Sequence, residues 1–273
     1  MKIQRKLLWL LVVTTCLTGI PQFTHATIQT TKPYQQMTLP ERGAFVSEQA
    51  RRLARQISGR DYQFTPAFEA EIQKAVEFYA RRIGNNGGDQ LGKGDGRLIF
   101  ERGQTLAPTL IRIFKARDVS PLIGLYIPLI ESEYVNLQAP TSVGAIGMFQ
   151  FLPKTGEHYG LSAAELLDVE KSAEAAARYI VAGLKTFEED PMKEALALLA
   201  YNRGAGNVES DLATLVNQQN RGCSICALTE HRDKLDPTFQ SENVYYVPRF
   251  FAAAIVGENP KAFGLQTQPL SSF

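Results

Sequence analysis

Seven residues, Ala195-Leu196-Ala197-Leu198-Leu199-Ala200-Tyr201, constrain the fold of this chain more than any others. They follow Asp190-Pro191, a pairing suited to the first turn of a helix, and as a helix they are apolar almost all the way round. Such a helix has no face to give to water. It has to sit at the centre with other elements packed about it.

The surrounding sequence supplies helices for that role. Ser47 is a cap for a helix carrying Ala50, Leu53, Ala54 and Ile57, with Gly59 as its stop. Thr65-Pro66 starts a second, whose stripe is Phe68, Ile72, Val76, Tyr79 and Ile83. A third is expected after Thr105 through Leu110 and Phe114, and Ser120-Pro121 opens a fourth that runs toward Glu131. Pro128 lies inside that run and lacks a backbone donor, which predicts a kink or restart just before Glu131. Ser172 precedes a helix with Ala173, Ala176, Ile180, Leu184 and Phe187 on one side, an amphipathic segment covers Val208–Val216, and Tyr246–Ile255 begins the last long helix. Neither an internal repeat nor a nucleotide-binding α/β pattern is present. The expectation is an all-α fold.

Residues 1–26 read as a secretory signal, with Lys2, Arg5 and Lys6 ahead of the apolar Leu7–Val13 and small residues at Thr24-His25-Ala26. Cys16 lacks the small residues that precede a lipidated cysteine, so soluble export is favoured and membrane attachment is left to an uncleaved signal. Cleavage there leaves 26 basic against 28 acidic residues, net −2, which is poor material for a nucleic-acid partner. The organisation expected is a signal at 1–26, an N-terminal helical region at 27–118, a second helical domain at 119–258 and a tail at 259–273. Gly84–Gly96 holds six glycines in thirteen residues and reads as a flexible connector inside the N-terminal region, without the spacing of a phosphate-binding or calcium-binding loop. Cys223 and Cys226 read first as a short-loop disulfide in an oxidising compartment; with His231 they make only three zinc ligands, so no metal is assigned. No cofactor is expected.

Ile127–Ile130 ends in Glu131-Ser132-Glu133. Burial at the end of an apolar helix disfavours an ionised carboxylate, so Glu131 is a candidate proton donor; its alternative is a helix-end ion pair or cap. Positions two apart on a helix differ by about 200°, so Glu131 and Glu133 cannot face each other across a sugar bond as a glycosidase pair does. Glu133 alone reads as a supporting or exposed charge.

The segment Glu131–Gly156 resembles the Glu-Ser and Gly-Ala-x-Gly-x-x-Gln signatures of the soluble-lytic-transglycosylase (SLT) superfamily, which includes relatives of goose-type lysozyme. Leu198–Val208 resembles its Ala-Tyr-Asn-x-Gly signature, and Tyr245–Val256 the closing Tyr-Val-Pro helix of the membrane-bound lytic murein transglycosylase D branch. The three occur in the family order. Two departures stand out: the Glu131-to-Gln150 loop is one residue longer than usual near Val135, and Leu137 replaces a familiar proline that appears instead at Pro140. The placement of that loop is therefore left open.

The resemblance implies a lysozyme-like helical domain in the periplasm, acting on peptidoglycan glycan strands with Glu131 as acid and then base. By that resemblance the bond between N-acetylmuramic acid and N-acetylglucosamine is cleaved and the muramoyl C6 hydroxyl closes a 1,6-anhydro ring, so no second carboxylate is needed. Ser132, Gln150, Tyr201 and Asn202 are implied as catalytic support, and Gly147, Met148, Phe149 and Tyr246 as substrate-binding residues. Arg203 has two readings, an acidic stem peptide or a surface ion pair. Two other functions remain open: a lysozyme-like muramidase, and a noncatalytic peptidoglycan-binding scaffold with a protein partner in an envelope machine.

Overall fold

Thr38 and Glu41 satisfy each other's orphan donors at the start of the first helix: the Thr38 hydroxyl accepts from Glu41 N–H, and Glu41 Oε2 accepts from Thr38 N–H at 2.6 Å. Helix α1 therefore spans Leu39–Ser58 and begins well before Ser47, the expected cap. Ser47 is interior, and its hydroxyl donates to Glu69 at 2.7 Å. The extra turns bury Phe45 and Val46.

The computed structural model describes residues 32–215 and 222–273. The expected signal segment, with Cys16, lies outside the described residues. Among those described, α-helices and short 3-10 turns account for the regular structure, with one isolated bridge between Ile146 and Phe151, so the chain is all-α. Helix α2 (Pro66–Arg82) starts at Thr65-Pro66 as expected. Helix α3 (Gly96–Lys115) starts earlier than Thr105, because Asp95 accepts from the N–H groups of Arg97 and Gly84 at 3.0 and 2.8 Å. Helix α4 (Pro121–Ser132) continues through Pro128. No restart occurs there, and the Tyr134 hydroxyl donates to Leu125 O within the helix at 2.6 Å.

Then follow α5 (Pro153–His158), α6 (Val169–Thr186), α7 (Lys193–Arg203), α8 (Ala205–Thr214), α9 (Ser224–Glu230), α10 (Pro237–Ser241) and α11 (Tyr246–Glu258). Asp168 caps α6, so Ser172 sits in its first turn rather than ahead of it. Asp190 accepts from Met192 N–H and the Ser224 hydroxyl, and α7 proper begins beyond that turn.

Every residue from Ala195 to Ala200 is buried, as a helix without a polar face requires. α6 packs along α7, where Gly183 lies so close to Ala197 that an added Cβ would stand 3.0 Å from its methyl. α11 packs on α2 and α4, and Phe64 meets Phe251 edge-on at 5.2 Å between ring centres. Each fully buried Phe or Leu contributes about 1.5–3 kcal/mol, so this shared core holds α2 and α11 against one another firmly. Helices on both sides of residue 118 belong to the same apolar core. Cys223 and Cys226 are joined by a disulfide, and Thr65 N–H donates to Cys226 Sγ at 3.3 Å, which ties that excursion to the start of α2.

Candidate active site

Glu131 occupies the last turn of α4, where the helix leaves the core. Behind it, the Ser132 hydroxyl donates to Met148 O at 2.7 Å and lies 3.1 Å from Pro128 O, pinning the helix end to the following loop. Glu133 and Tyr134 then both take left-handed backbone conformations, φ 52° and 63°. Two such non-glycine residues in succession cost roughly 1–2 kcal/mol each. Glu133 is held there by a nearly buried ion pair: Arg82 donates to its two carboxylate oxygens at 2.5 and 3.0 Å, and Arg102 Nε donates to its carbonyl at 2.9 Å. Glu133 is thus the supporting charge of the helix exit, and it points away from any partnership with Glu131.

One oxygen of Glu131, Oε1, accepts from the Tyr246 hydroxyl at 2.6 Å. The other takes no protein hydrogen bond among the described residues and is not sealed from solvent. Burial of the surrounding site pushes the Glu131 carboxyl up to about 7, against the opposing pull of the Tyr246 hydrogen bond and the Arg249 cation, with a smaller upward push from Glu242. The side chain itself is half-buried: its free edge reaches the cleft while most of its surroundings are protein. A carboxyl of this kind is protonated in a large fraction of molecules at neutral pH and can give its proton to a leaving oxygen.

Two chambers meet at Glu131. One, of about 490 Å³, runs past Gln150, Tyr201, Asn202 and Glu242. The other, of about 410 Å³, runs past Phe78, Leu91, Ile130, Tyr245 and Arg249. A linear polymer laid through both would carry one of its bonds past the carboxyl.

Residues 110–221 match the family described as Transglycosylase SLT domain. The chain carries a domain of the SLT superfamily. It is also similar to the membrane-bound lytic murein transglycosylase D of Escherichia coli, from strain K12 and from an O6:H1 strain, at 27% identity over 150 residues in each case. That similarity covers 54% of this chain and 30% of each relative's length.

Within the SLT domain and the helix that closes it, the expected site residues divide into two groups. Glu131, Gln150, Tyr201 and Asn202 line the larger chamber. Tyr201 donates its hydroxyl to Phe149 O at 2.9 Å, Gln150 donates to Gly147 O at 2.6 Å, and Asn202 Oδ1 accepts from Asn243 at 2.7 Å. Ser132 is fully buried and supports the helix end.

Gly147, Met148, Phe149 and Tyr246 line neither chamber. Met148 and Phe149 are core side chains that line neither chamber, and it is their carbonyls that serve the site. The reason lies at Gly147: with φ 76° and an added Cβ only 2.3 Å from Leu166 O, it turns the loop so that the two side chains after it point inward. Gly147 thus presses on protein rather than on a ligand. Tyr246 is buried and reaches Glu131 instead of the open cleft.

Of its two readings, Arg203 takes the ion pair, with its own side chain largely buried. Its guanidinium is almost fully buried and commits four of its five N–H donors to Asp211, Asp236 and Asn243, so it braces the Asn202 wall. Arg249, Glu242 and the Phe78–Leu91 wall were not identified from sequence. Arg249 had a signal, since it lies three residues after Tyr246 on the same helical face.

Proposed function

We propose that this chain is a periplasmic peptidoglycan lytic transglycosylase that cleaves the β-1,4 bond between N-acetylmuramic acid and N-acetylglucosamine and leaves 1,6-anhydromuramoyl ends. The observation that carries this reading is the position of Glu131, a carboxyl raised to about 7 at the meeting point of two chambers. The names of the Escherichia coli relatives agree with it.

In the first step the Glu131 carboxyl gives its proton to the glycosidic oxygen as the bond to the muramoyl C1 breaks, and the sugar released takes that oxygen as a hydroxyl. The resulting carboxylate keeps its hydrogen bond from Tyr246, which favours the charged form at the moment it appears. In the second step the muramoyl C6 oxygen attacks C1 and loses its proton to Glu131, restoring the acid. The substrate's N-acetyl group stabilises the positive sugar centre between the steps.

Glu242 gives specific support to one other outcome. Its exposed carboxylate lines the same chamber as Glu131, where it can orient a water and turn the second step into hydrolysis. Mass analysis of digested sacculi separates the two, because the anhydro product is one water lighter. Wild-type protein is expected to release anhydromuropeptides and the Glu131→Gln variant none. Ordinary reducing ends alone would overturn the transglycosylase step, and wild-type turnover by the variant would overturn the assignment of Glu131.

A further inference from the structure

Asn243 lies beyond the matched SLT segment, in the short 3-10 turn Asn243–Tyr245 between α10 and α11, and its buried amide joins two groups of unlike character. Its Oδ1 accepts from Arg203 Nη1 at 3.1 Å, and its Nδ2 donates to Asn202 Oδ1 at 2.7 Å. Arg203 on the far side is clamped. Asp211 accepts from its Nε and Nη2 at 2.7 and 2.9 Å, Asp236 accepts from Nη2 as well, and the guanidinium lies 5.4 Å from the centre of the Phe239 ring. Asp236 is itself held by the N–H groups of Thr238 and Phe239 at the start of α10.

The two ends of an amide are alike in shape, so its orientation follows from which end finds a donor and which an acceptor. A guanidinium has donors only. The Asn243 atom facing Arg203 is therefore its oxygen, the opposite end is its NH2, and Asn202 has to meet that NH2 with Oδ1. Asn202 Nδ2 is left over. It makes no hydrogen bond to protein among the described residues and is not sealed from water, and Asn202 lines the larger chamber with Glu131. Reversing Asn202 would set two NH2 groups against each other, both without an acceptor.

We propose that Asn243 is a positioning residue: it turns the Asn202 amide so that the larger chamber offers an N–H donor to an acceptor oxygen of the bound strand. Asn202 touches the ligand and Asn243 acts through it. The surroundings make an oriented donor matter, because Glu131 and Glu242 bring carboxyl oxygens to this chamber and Gln150 spends its NH2 on Gly147 O at 2.6 Å. The Tyr179 and Tyr201 hydroxyls likewise donate to backbone carbonyls. Arg203 and its two aspartates thereby gain a task beyond bracing the wall, since they fix the sense of the relay. The proposal rests on the peptidoglycan reading only for the identity of the strand; the amide orientation stands on the protein's own hydrogen bonds.

Asn243→Asp tests this because a carboxylate only accepts: it keeps Arg203 but needs the NH2 of Asn202, which has to reverse and show its oxygen to the chamber. In the isotope-labelled full chain without ligand, the Asn202 side-chain NH2 protons are expected to exchange with water as fast as those of a free amide. In Asn243→Asp they should exchange roughly tenfold more slowly, the protection that one hydrogen bond gives. A protected Asn202 amide in the unsubstituted chain, or equal rates in both, overturns the proposal. Binding of soluble glycan strands is then measured on Glu131→Gln protein, so that cleavage does not interfere. Asn243→Asp is expected to weaken it roughly tenfold, and Asn243→Ala, which lets Asn202 turn either way, by less. In an Asn202→Ala background the Asn243→Asp effect should vanish, whereas an effect of the added charge or of damaged folding would persist. Persistence there overturns the proposal. If the exchange rates differ as expected but neither protein binds strands, the amide relay stands and the peptidoglycan reading falls.

Discussion

The Tyr246 hydroxyl donates to Glu131 Oε1 at 2.6 Å, and it is the sole protein hydrogen bond to that carboxyl among the described residues. Burial holds the Tyr246 phenol well above its ordinary range, so it remains a donor at any working pH. The bond lowers the Glu131 pKa against the larger opposite effect of burial. Tyr246→Phe should therefore move the Glu131 transition above its present value of about 7 and weaken the carboxylate form that follows proton donation. A fall of roughly tenfold to a hundredfold in kcat is expected, the worth of one hydrogen bond to a charged group. A pH-rate profile checks it: a limb that moves to lower pH would show that the hydroxyl does not stabilise the ionised carboxyl.

Glu131→Gln should remove activity and at the same time stabilise the fold in alkali. The sign follows from the raised folded pKa: an unfolded glutamate ionises near 4.5, the folded one near 7. Below about pH 4.5 both are neutral and the wild type incurs no penalty; above pH 7 it carries a charge that folding disfavours. The stability lost between those limits is at most about 3 kcal/mol. Urea denaturation at pH 4 and pH 8 should show the variant's advantage only at the higher value. Equal advantages at both would mean the carboxyl is not strained by its charge.

Glu242 adds the smallest of the upward influences on Glu131. Glu242→Gln should shift the alkaline limb of the rate profile downward by less than about one unit and leave the mass of the product unchanged. A hundredfold loss with disappearance of reducing-end products would instead make Glu242 the residue that orients water.

Local pattern explains why Glu131 and Tyr246 are legible in sequence while their bond is not. An apolar run ending in a carboxyl and a Tyr-Val-Pro helix are each contained in a dozen residues, but 115 positions separate the two partners. The helix starts at Thr38, Asp95 and Asp168 are missed for a different reason: each is fixed by a side-chain capping hydrogen bond, whereas the expected starts follow apolar periodicity further along the chain. The inward direction of Met148 and Phe149 is not legible because their loop is set by Leu166 O against Gly147, a contact between distant turns. The chamber walled by Phe78 and Leu91 is invisible for the same reason, since only packing brings the glycine-rich loop to the end of α4.

Arg82 joins these distant parts, and its removal is the most demanding test of the arrangement. Its side chain and that of Glu133 are 7 and 13% exposed, so Arg82→Met leaves a carboxylate largely out of water without its partner. The expected cost is about 3–5 kcal/mol in unfolding free energy. The same change frees the glycine-rich loop at Gly94 O and releases the left-handed exit that follows Glu131, so kcat should fall although Arg82 touches no reacting atom. Adding Glu133→Gln to Arg82→Met removes the stranded charge and should recover part of the stability without restoring kcat. Denaturant melts of the two single variants and the double variant read the coupling directly. Full additivity of the two substitutions would show that the pair does not hold the helix exit in place.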